Sequence, residues 1–446
     1  MVEFLIIGAD AAGLSAAIQI KRKLPEAGIR VINKGRFISY GACGIPYVIS
    51  GDIVSPEKLI HFTPESFAHD RGIRVETNRE AVSLSPGDRT AQILNLQTGE
   101  VETESYGKLL IATGANPKRL PHLDYSHEGI FNVHDIEDLQ SICTYLDEKK
   151  PSRAAVIGAG NIGLELVEAL HKKKMEVSLF EALEAPASNW PRAVQKAVED
   201  KIIEKGILFL KQTAIEAVTK EGRVFTIKTG GKDYEADVLF SVIGTKPSTE
   251  FCRQKLKTLD NGAILIDQKG RTAEKDIFAA GDCATVHHRL LGRSVYWPLG
   301  SVANKMGRIA GMNMSGEDIA FPGVVGTQIF KFFELSLART GLSAAEAEKQ
   351  GMDVESFSAA RTDKASYFPG VKMANVEITV DKATGRLIGA NVVCEGNSAP
   401  VIDTAAAAIT TGMEVTDLAW FDSAYAPPYA PVWTALISAA LTAARL

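Results

Sequence analysis

Two glycine-rich turns, each set between an apolar stretch and a helical pattern, constrain this chain more than any other feature. The first is Gly8-Ala9-Asp10-Ala11-Ala12-Gly13 and the second Gly158-Ala159-Gly160-Asn161-Ile162-Gly163. Phe4–Ile7 reads as the strand before the first turn, Leu14–Lys23 as the helix after it, and Ile29–Asn33 as the next strand. Around the second turn, Ala154–Ile157 is a strand, a helix runs through Leu170, and Val177–Phe180 is the returning strand. In a βαβ unit of this kind the backbone N–H groups at the helix start point at a pyrophosphate. Two such units predict an α/β chain with two Rossmann-like, dinucleotide-binding domains.

The two copies differ in their details. The second has the full G-x-G-x-x-G pattern, and Glu181 follows 23 residues after Gly158. A carboxylate there takes both ribose hydroxyls of an adenosine. Ala182-Leu183-Glu184 brings no arginine for a 2′-phosphate, which favours NADH over NADPH. In the first copy Asp10 replaces the middle glycine, and Asn33 stands where an acid is expected, its amide oxygen free to accept from a ribose hydroxyl.

At 446 residues the chain holds two or three domains. Its 46% hydrophobic and 23% charged residues are those of an ordinary soluble enzyme. A net charge of −5 argues against nucleic acid as a partner. No secretion signal and no apolar run of about 20 residues is found, so a cytoplasmic protein without a membrane span is expected. Five scattered cysteines at 43, 143, 252, 283 and 394 make no disulfide framework, and without a C-x-x-C no metal site is expected.

One of those cysteines lies in Ser39-Tyr40-Gly41-Ala42-Cys43-Gly44-Ile45-Pro46-Tyr47. Glycines allow a sharp turn there, and Pro46 suits the first turn of a helix. The expectation is a sulfur at a helix N-terminus, with its thiolate favoured by the helix dipole. Leu109–Ala115, Val238–Gly244 and Asp276–Asp282 read as apolar strands ending near glycine, the last presenting a carboxylate at Asp282. From Phe321 the texture changes to strands at 326–337, 354–359, 373–380 and 388–393 and helices at 343–350, 399–412 and 431–444, an α+β domain. Its last part, Tyr425-Ala426-Pro427-Pro428-Tyr429, holds two phenols in a proline-rich loop.

Taken together, these motifs resemble the flavoprotein disulfide reductases with a single active-site cysteine. Ala303-Asn304-Lys305-Met306-Gly307-Arg308 adds to the likeness, which covers essentially the whole chain and is greatest to the coenzyme A-disulfide reductases. The resemblance implies an FAD-binding domain at 1–115 and 245–320, an NAD(P)H-binding domain at 116–244 and a C-terminal dimerisation domain at 321–446. FAD would contact Gly8, Ala12, Gly13, Asn33, Lys34, Thr113, Gly114 and Asp282. NADH would contact Gly158, Gly160, Ile162, Gly163, Glu181 and Gly244. Ser15, Gln19, Arg22, Ser39, Arg71, Asn304, Lys305 and Arg308 would meet coenzyme A, as substrate or bound ligand, the first three forming a stripe at helical spacing.

The acceptor is the remaining question. The residue five after Cys43 is Val48, so no second thiol stands at the spacing of the two-cysteine relatives. Cys43 must cycle through a bond to something external: a mixed disulfide, a persulfide or a sulfenic acid. Oxidases and peroxidases of the group place a histidine in the first glycine turn, where this chain has Ala11 and Ala12. No histidine follows residue 288, which leaves Tyr425 and Tyr367, reaching across a homodimer, as the groups that protonate a leaving thiolate. The expected activity is NADH-dependent reduction of coenzyme A disulfide, with persulfide or polysulfide reduction as the alternative and oxygen reduction behind both.

Overall fold

The computed structural model describes residues 2–396 and 398–446. Its first sheet has a parallel core in which Val2–Ile7 lies between Ile29–Ile32 and Val101–Ile111, with Ile277–Ala279 against the far side of the latter. Arg79–Ser85 and Thr90–Asn95 continue this sheet as an antiparallel meander. The second sheet repeats the plan: Ile130–Phe131, Val238–Ser241, Arg153–Ile157, Glu176–Phe180 and Leu208–Leu210 run parallel. Its meander is Ile215–Glu221, Val224–Thr229 and Asp233–Ala236. Both crossings between the two units pass through one antiparallel ribbon, Ala115–Pro117 on Thr245–Pro247. The strand expected over Leu109–Ala115 therefore breaks at Ile111, because the chain turns there to enter the ribbon.

Seven helices carry the two units. They are α1 (Ala11–Lys23), α2 (Ile45–Ile49), α3 (Pro64–Arg71), α4 (Ile136–Lys149), α5 (Asn161–Lys172), α6 (Arg192–Glu204) and α7 (Gly300–Met314). Helix α1 begins inside the expected glycine turn, at Ala11 after Asp10, rather than at Leu14. It crosses α7 at contact distance, because small residues line the seam. A Cβ added to Gly307 would lie 2.1 Å from the Ala12 carbonyl oxygen, and one added to Gly311 would lie 2.5 Å from that of Ala16.

The C-terminal unit is a five-stranded antiparallel sheet backed by the helices Val401–Thr411 and Ala435–Ala444. Two expectations are corrected here. Residues 326–337 are not one strand but the start of a hairpin, Gln328–Phe332 and Leu335–Gly341, turning at Phe333 with φ 50°. The last helix starts at Ala435, not 431, with Thr434 as its cap. No helix among the described residues is long and apolar enough to cross a membrane.

The hairpin tip joins the units. Phe330, Phe332, Phe333, Leu335 and Leu337 share one core with Ile45, Val48 and Ile49 of α2 and with Leu164, Leu166 and Val167 of α5. Glu168 of α5, itself buried, accepts from the Phe333 N–H at 2.6 Å and pairs with Lys331. Lys201 of α6 is also buried and meets Glu334 and Glu395 at 3.4 and 3.5 Å.

His288 lies at the junction of the first and C-terminal units, 2% exposed, its Nδ1 without a partner among the described residues. Burial pushes its pKa down from 6.5 to about 4. A neutral His288 costs nothing above pH 6.5, but stability drains away as pH falls from there through about 4. The expected loss is about 3 kcal/mol. Melting temperatures from pH 7 down to pH ~4 test this: His288→Leu should flatten the acid limb, and an unchanged limb assigns it to other groups.

Candidate active site

The two glycine turns match contact for contact. Gly8 and Gly158 have φ of 111° and 107°, and a Cβ on either would strike the backbone of a neighbouring strand end, at Ala112 and Val242. The Ala9 N–H donates to Asn33 Oδ1 at 3.0 Å, and the Ala159 N–H donates to Glu181 Oε2 at 2.8 Å. Asn33 is thus a neutral counterpart of Glu181. Its expected availability to a ribose is corrected in part: its oxygen already holds the turn, and its amide donates to the Gly35 and Phe37 carbonyls. Glu181 also accepts from the Leu183 N–H at 2.9 Å. Lys34 is exposed and pairs with Glu80 at 2.8 Å, while Thr113 donates to the Ser248 carbonyl at 2.7 Å.

The residues fit an FAD. The Asp282 carboxyl has no hydrogen-bond partner among the described residues, and burial, then the Asp10 charge, raises its pKa to about 6. Asp10 is likewise held up at about 6 by burial, against the lowering effect of the Tyr40 and Ala11 N–H groups. A half-buried carboxyl with no protein donor is an acceptor that a hydroxyl-bearing ligand satisfies. Gly114, Gly160, Gly244 and Gly300 face open space, leaving backbone bare for close approach by a ligand.

Cys43 sits in a single 3₁₀ turn, Ala42–Gly44, directly ahead of α2. Among the described residues it alone of the five cysteines is exposed. The expected thiolate environment is corrected. Although the side chain touches solvent, surrounding protein raises the thiol's pKa by desolvation, and the charges of Glu165, Asp282 and Asp10 raise it further. Against these, the residue's own backbone N–H lowers the pKa, and the helix that follows, α2, has only five residues.

Two residues near Cys43 escaped the sequence reading. Tyr47 of α2 donates to Glu165 Oε1 of α5 at 3.2 Å, linking the units that carry the two glycine turns. Burial raises the Glu165 carboxyl to about 7. The signal was a carboxylate one turn into an otherwise apolar helix start, Leu164-Glu165-Leu166-Val167. His61 lies beside the sulfur loop: Ile60–Phe62 pairs with Ile38–Tyr40, and His61 Nε2 is 3.9 Å from where a Cβ on Gly41 would stand.

The other expected residues fall into two groups. Ser15, Gln19 and Arg22 line α1, and Asn304, Lys305 and Arg308 lie on α7, which packs against it; Asn304 donates to Ser15 Oγ at 2.9 Å. Arg71 stacks over the Phe62 ring at 5.4 Å, and Ser39 has φ 50°. Ile162, at the start of α5, is exposed. Tyr367 and Tyr425 form a separate group in the C-terminal unit, their hydroxyls 3.1 Å apart and both rings exposed. They share that surface with exposed Trp420, Tyr429 and Trp433.

Known proteins match the chain along its length. The model of the pyridine nucleotide-disulphide oxidoreductases matches residues 2–307, and that of their dimerisation domain matches 327–436. An NAD(P)H sulfur oxidoreductase (CoA-dependent) of Pyrococcus furiosus is 36% identical over 436 residues, 97% of either chain. A coenzyme A disulfide reductase of Staphylococcus epidermidis is 31% identical, covering 96% of this chain and 97% of that one. The solved NAD-dependent persulfide reductase of A. fulgidus superposes with a TM-score of 0.94 at 34% identity, over 99% of this chain and 83% of that one.

Proposed function

The chain belongs to the pyridine nucleotide-disulphide oxidoreductases, FAD-dependent enzymes, and on that premise we propose that it reduces a sulfur–sulfur bond of coenzyme A with electrons from NADH, using Cys43 as the reacting sulfur. The observation that carries this is one exposed thiol set between the two dinucleotide folds, against Asp10 and Asp282 of the first and Glu165 of the second. The same sheets support the division into 1–115 with 245–320, 116–244 and 321–446.

FAD, when bound, relays two electrons between the nicotinamide and the sulfur. The chain's own residues do the rest. The Gly158–Gly163 turn and Glu181 bind the adenosine end of NADH, and the Gly8–Gly13 turn and Asp282 hold FAD. The strip Ser15–Gln19–Arg22, with Asn304 and the cations Lys305, Arg308 and Arg71, binds the coenzyme A nucleotide. The Cys43 thiolate attacks the acceptor's S–S bond and expels one thiolate, which takes up a proton; two electrons and a second proton then free the second thiol and restore the Cys43 thiolate. In balance, one NADH and one proton convert a disulfide into two thiols.

A second acceptor has specific support: the relative at 36% identity is named a CoA-dependent sulfur oxidoreductase, and the superposed structure a persulfide reductase. NADH consumption under argon, with coenzyme A disulfide, coenzyme A persulfide and polysulfide as acceptors, then in air, tests both. Fast turnover with the disulfide supports the first reading. Turnover with persulfide or polysulfide alone moves the function to sulfur reduction, and turnover with oxygen alone overturns both.

We further propose a cytoplasmic homodimer. Five free cysteines suit a reducing compartment. The dimerisation-domain match spans Tyr367 and Tyr425, whose exposed hydroxyls would meet the sulfur site of a second copy. One phenol donates to the other, which leaves the acceptor's own proton to pass to a leaving thiolate. Tyr425→Phe should leave flavin reduction by NADH unchanged and slow turnover by about tenfold, through slower thiol release. Slower flavin reduction in a rapid-mixing experiment would make Tyr425 structural.

A further inference from the structure

The likeness of the two nucleotide folds does not end at their glycine turns. After Asn33 the chain reaches Ser39, with φ 50°, whose N–H donates to the Ala9 carbonyl at 3.1 Å. At the same spacing after Glu181 it reaches Ala187, with φ 48°, whose N–H donates to the Ala159 carbonyl at 2.8 Å. In each unit one loop therefore grips the turn's second residue by its N–H and by its carbonyl. In the first unit that loop goes on to carry Cys43. In the second it carries Trp190, which is buried, and the indole N–H donates to Oδ1 of Asn161, the first residue of α5, at 2.8 Å. The C-terminal hairpin fixes this tryptophan. Its ring meets Phe330 edge-on with centroids 4.8 Å apart, and the adjoining Asn189 carbonyl accepts from buried Arg339 at 2.6 Å. Gln195 Nε2 donates to the Trp190 carbonyl at 2.7 Å. An indole N–H can only donate, so it takes the oxygen of the Asn161 amide and turns the nitrogen away. That nitrogen has no partner among the described residues. Beside it, a Cβ on Gly160 would meet nothing within 4 Å, so the space is open to a ligand.

We propose that Trp190 positions Asn161 so that its amide N–H groups donate to a diphosphate oxygen of NADH. The start of a helix after a glycine turn is where a dinucleotide's diphosphate binds, and the orphaned donors lie there. Asn161 touches the ligand in this scheme, and Trp190 is a positioning residue that acts through it. Phe330 and Arg339 lie on the two strands of the hairpin, so the C-terminal unit supports nucleotide binding in another unit. The inference deepens the proposed function and rests on its reading of the second turn as the NADH site.

The test is calorimetric titration of the oxidised, FAD-loaded protein with NAD⁺, for the wild type, Asn161→Ala, Trp190→Phe and the double variant. Asn161→Ala removes the donors and should weaken binding about tenfold. Trp190→Phe keeps a ring against Phe330 but removes the indole N–H, so the amide is free to turn, and binding should weaken about fivefold. The double variant should bind no more weakly than Asn161→Ala, because Trp190 acts through Asn161. A tryptophan that only fills the core would lower the melting temperature and leave NAD⁺ affinity unchanged, or would add its effect to that of Asn161→Ala. Either result overturns the proposal, as does an Asn161→Ala protein that binds NAD⁺ like the wild type. FAD absorbance checks that each variant is folded. Failure of the wild type to bind NAD⁺ would overturn the reading of the second turn and this inference with it. Binding needs no acceptor, so failure of the acceptor assay and failure of this cycle are separate results.

Discussion

Cys43→Ser is expected to bind FAD as the wild type does, to accept hydride from NADH at the wild-type rate, and to lose reduction of coenzyme A disulfide by at least about a thousandfold. The two halves follow from the geometry. In the proposed arrangement FAD would be held by the first glycine turn and Asp282, and NADH by the second turn and Glu181; none of these residues is the sulfur's. Serine keeps the backbone of the 3₁₀ turn but cannot enter thiol–disulfide exchange. Nor is there a substitute thiol: Cys252, Cys283 and Cys394 are buried, and Cys143 is half-buried on α4. Rapid mixing separates flavin reduction from steady-state acceptor turnover. Retained turnover would place the chemistry elsewhere, and loss of both steps would make Cys43 a structural residue.

The second large effect concerns the helix seam. Gly307→Ala, a change of one methyl group, should destabilise the protein by roughly 3 kcal/mol and sharply lower its FAD content. The added carbon would sit 2.1 Å from the Ala12 oxygen and 2.6 Å from its Cα, both backbone atoms that no side-chain rotation can move. The strain must be relieved by parting α1 from α7, and Ala12 lies in the turn proposed to hold the flavin. Thermal melting and the ratio of flavin to protein absorbance measure the two consequences. Gly292→Ala, at an open position with φ 61°, is the control for backbone strain without collision.

The nucleotide folds were legible because their signals are local. A strand, a glycine turn and a helix lie within thirty residues, and Gly8, Gly13, Gly158 and Gly163 each have a steric reason to be there, since a Cβ on any of them would strike backbone. The polar stripe on α1 was legible for the same cause. Contacts between distant segments were not. Tyr47 and Glu165 are 118 residues apart, and nothing in either neighbourhood names the other. The thiol of Cys43 was misjudged because its environment is set by α5 and the Asp282 strand end as well as by its own loop. Asn33 seemed a weakened ribose ligand; only the structure gives its oxygen to the Ala9 N–H. The hairpin at Phe333 was missed because Phe333-Glu334 holds no glycine, proline or asparagine. That turn is secured from outside, by the Glu168 carboxylate on its N–H and Lys205 on Glu334 at 2.7 Å.

That external fastening bears on how such a chain can be taken apart. The tip of the C-terminal hairpin fills a core that also contains the helix following the Cys43 turn and part of the second nucleotide fold. Cutting the chain before the hairpin would strip five large apolar side chains from that core and leave Glu168 without Lys331 or the Phe333 N–H, with Lys172 at 3.6 Å as its remaining ion-pair partner. The three units are distinct in topology yet are not exchangeable modules. Recombination between such proteins is tolerable at the termini and costly at the junctions. A reductase of this build diversifies by changing side chains around a fixed sulfur rather than by trading parts.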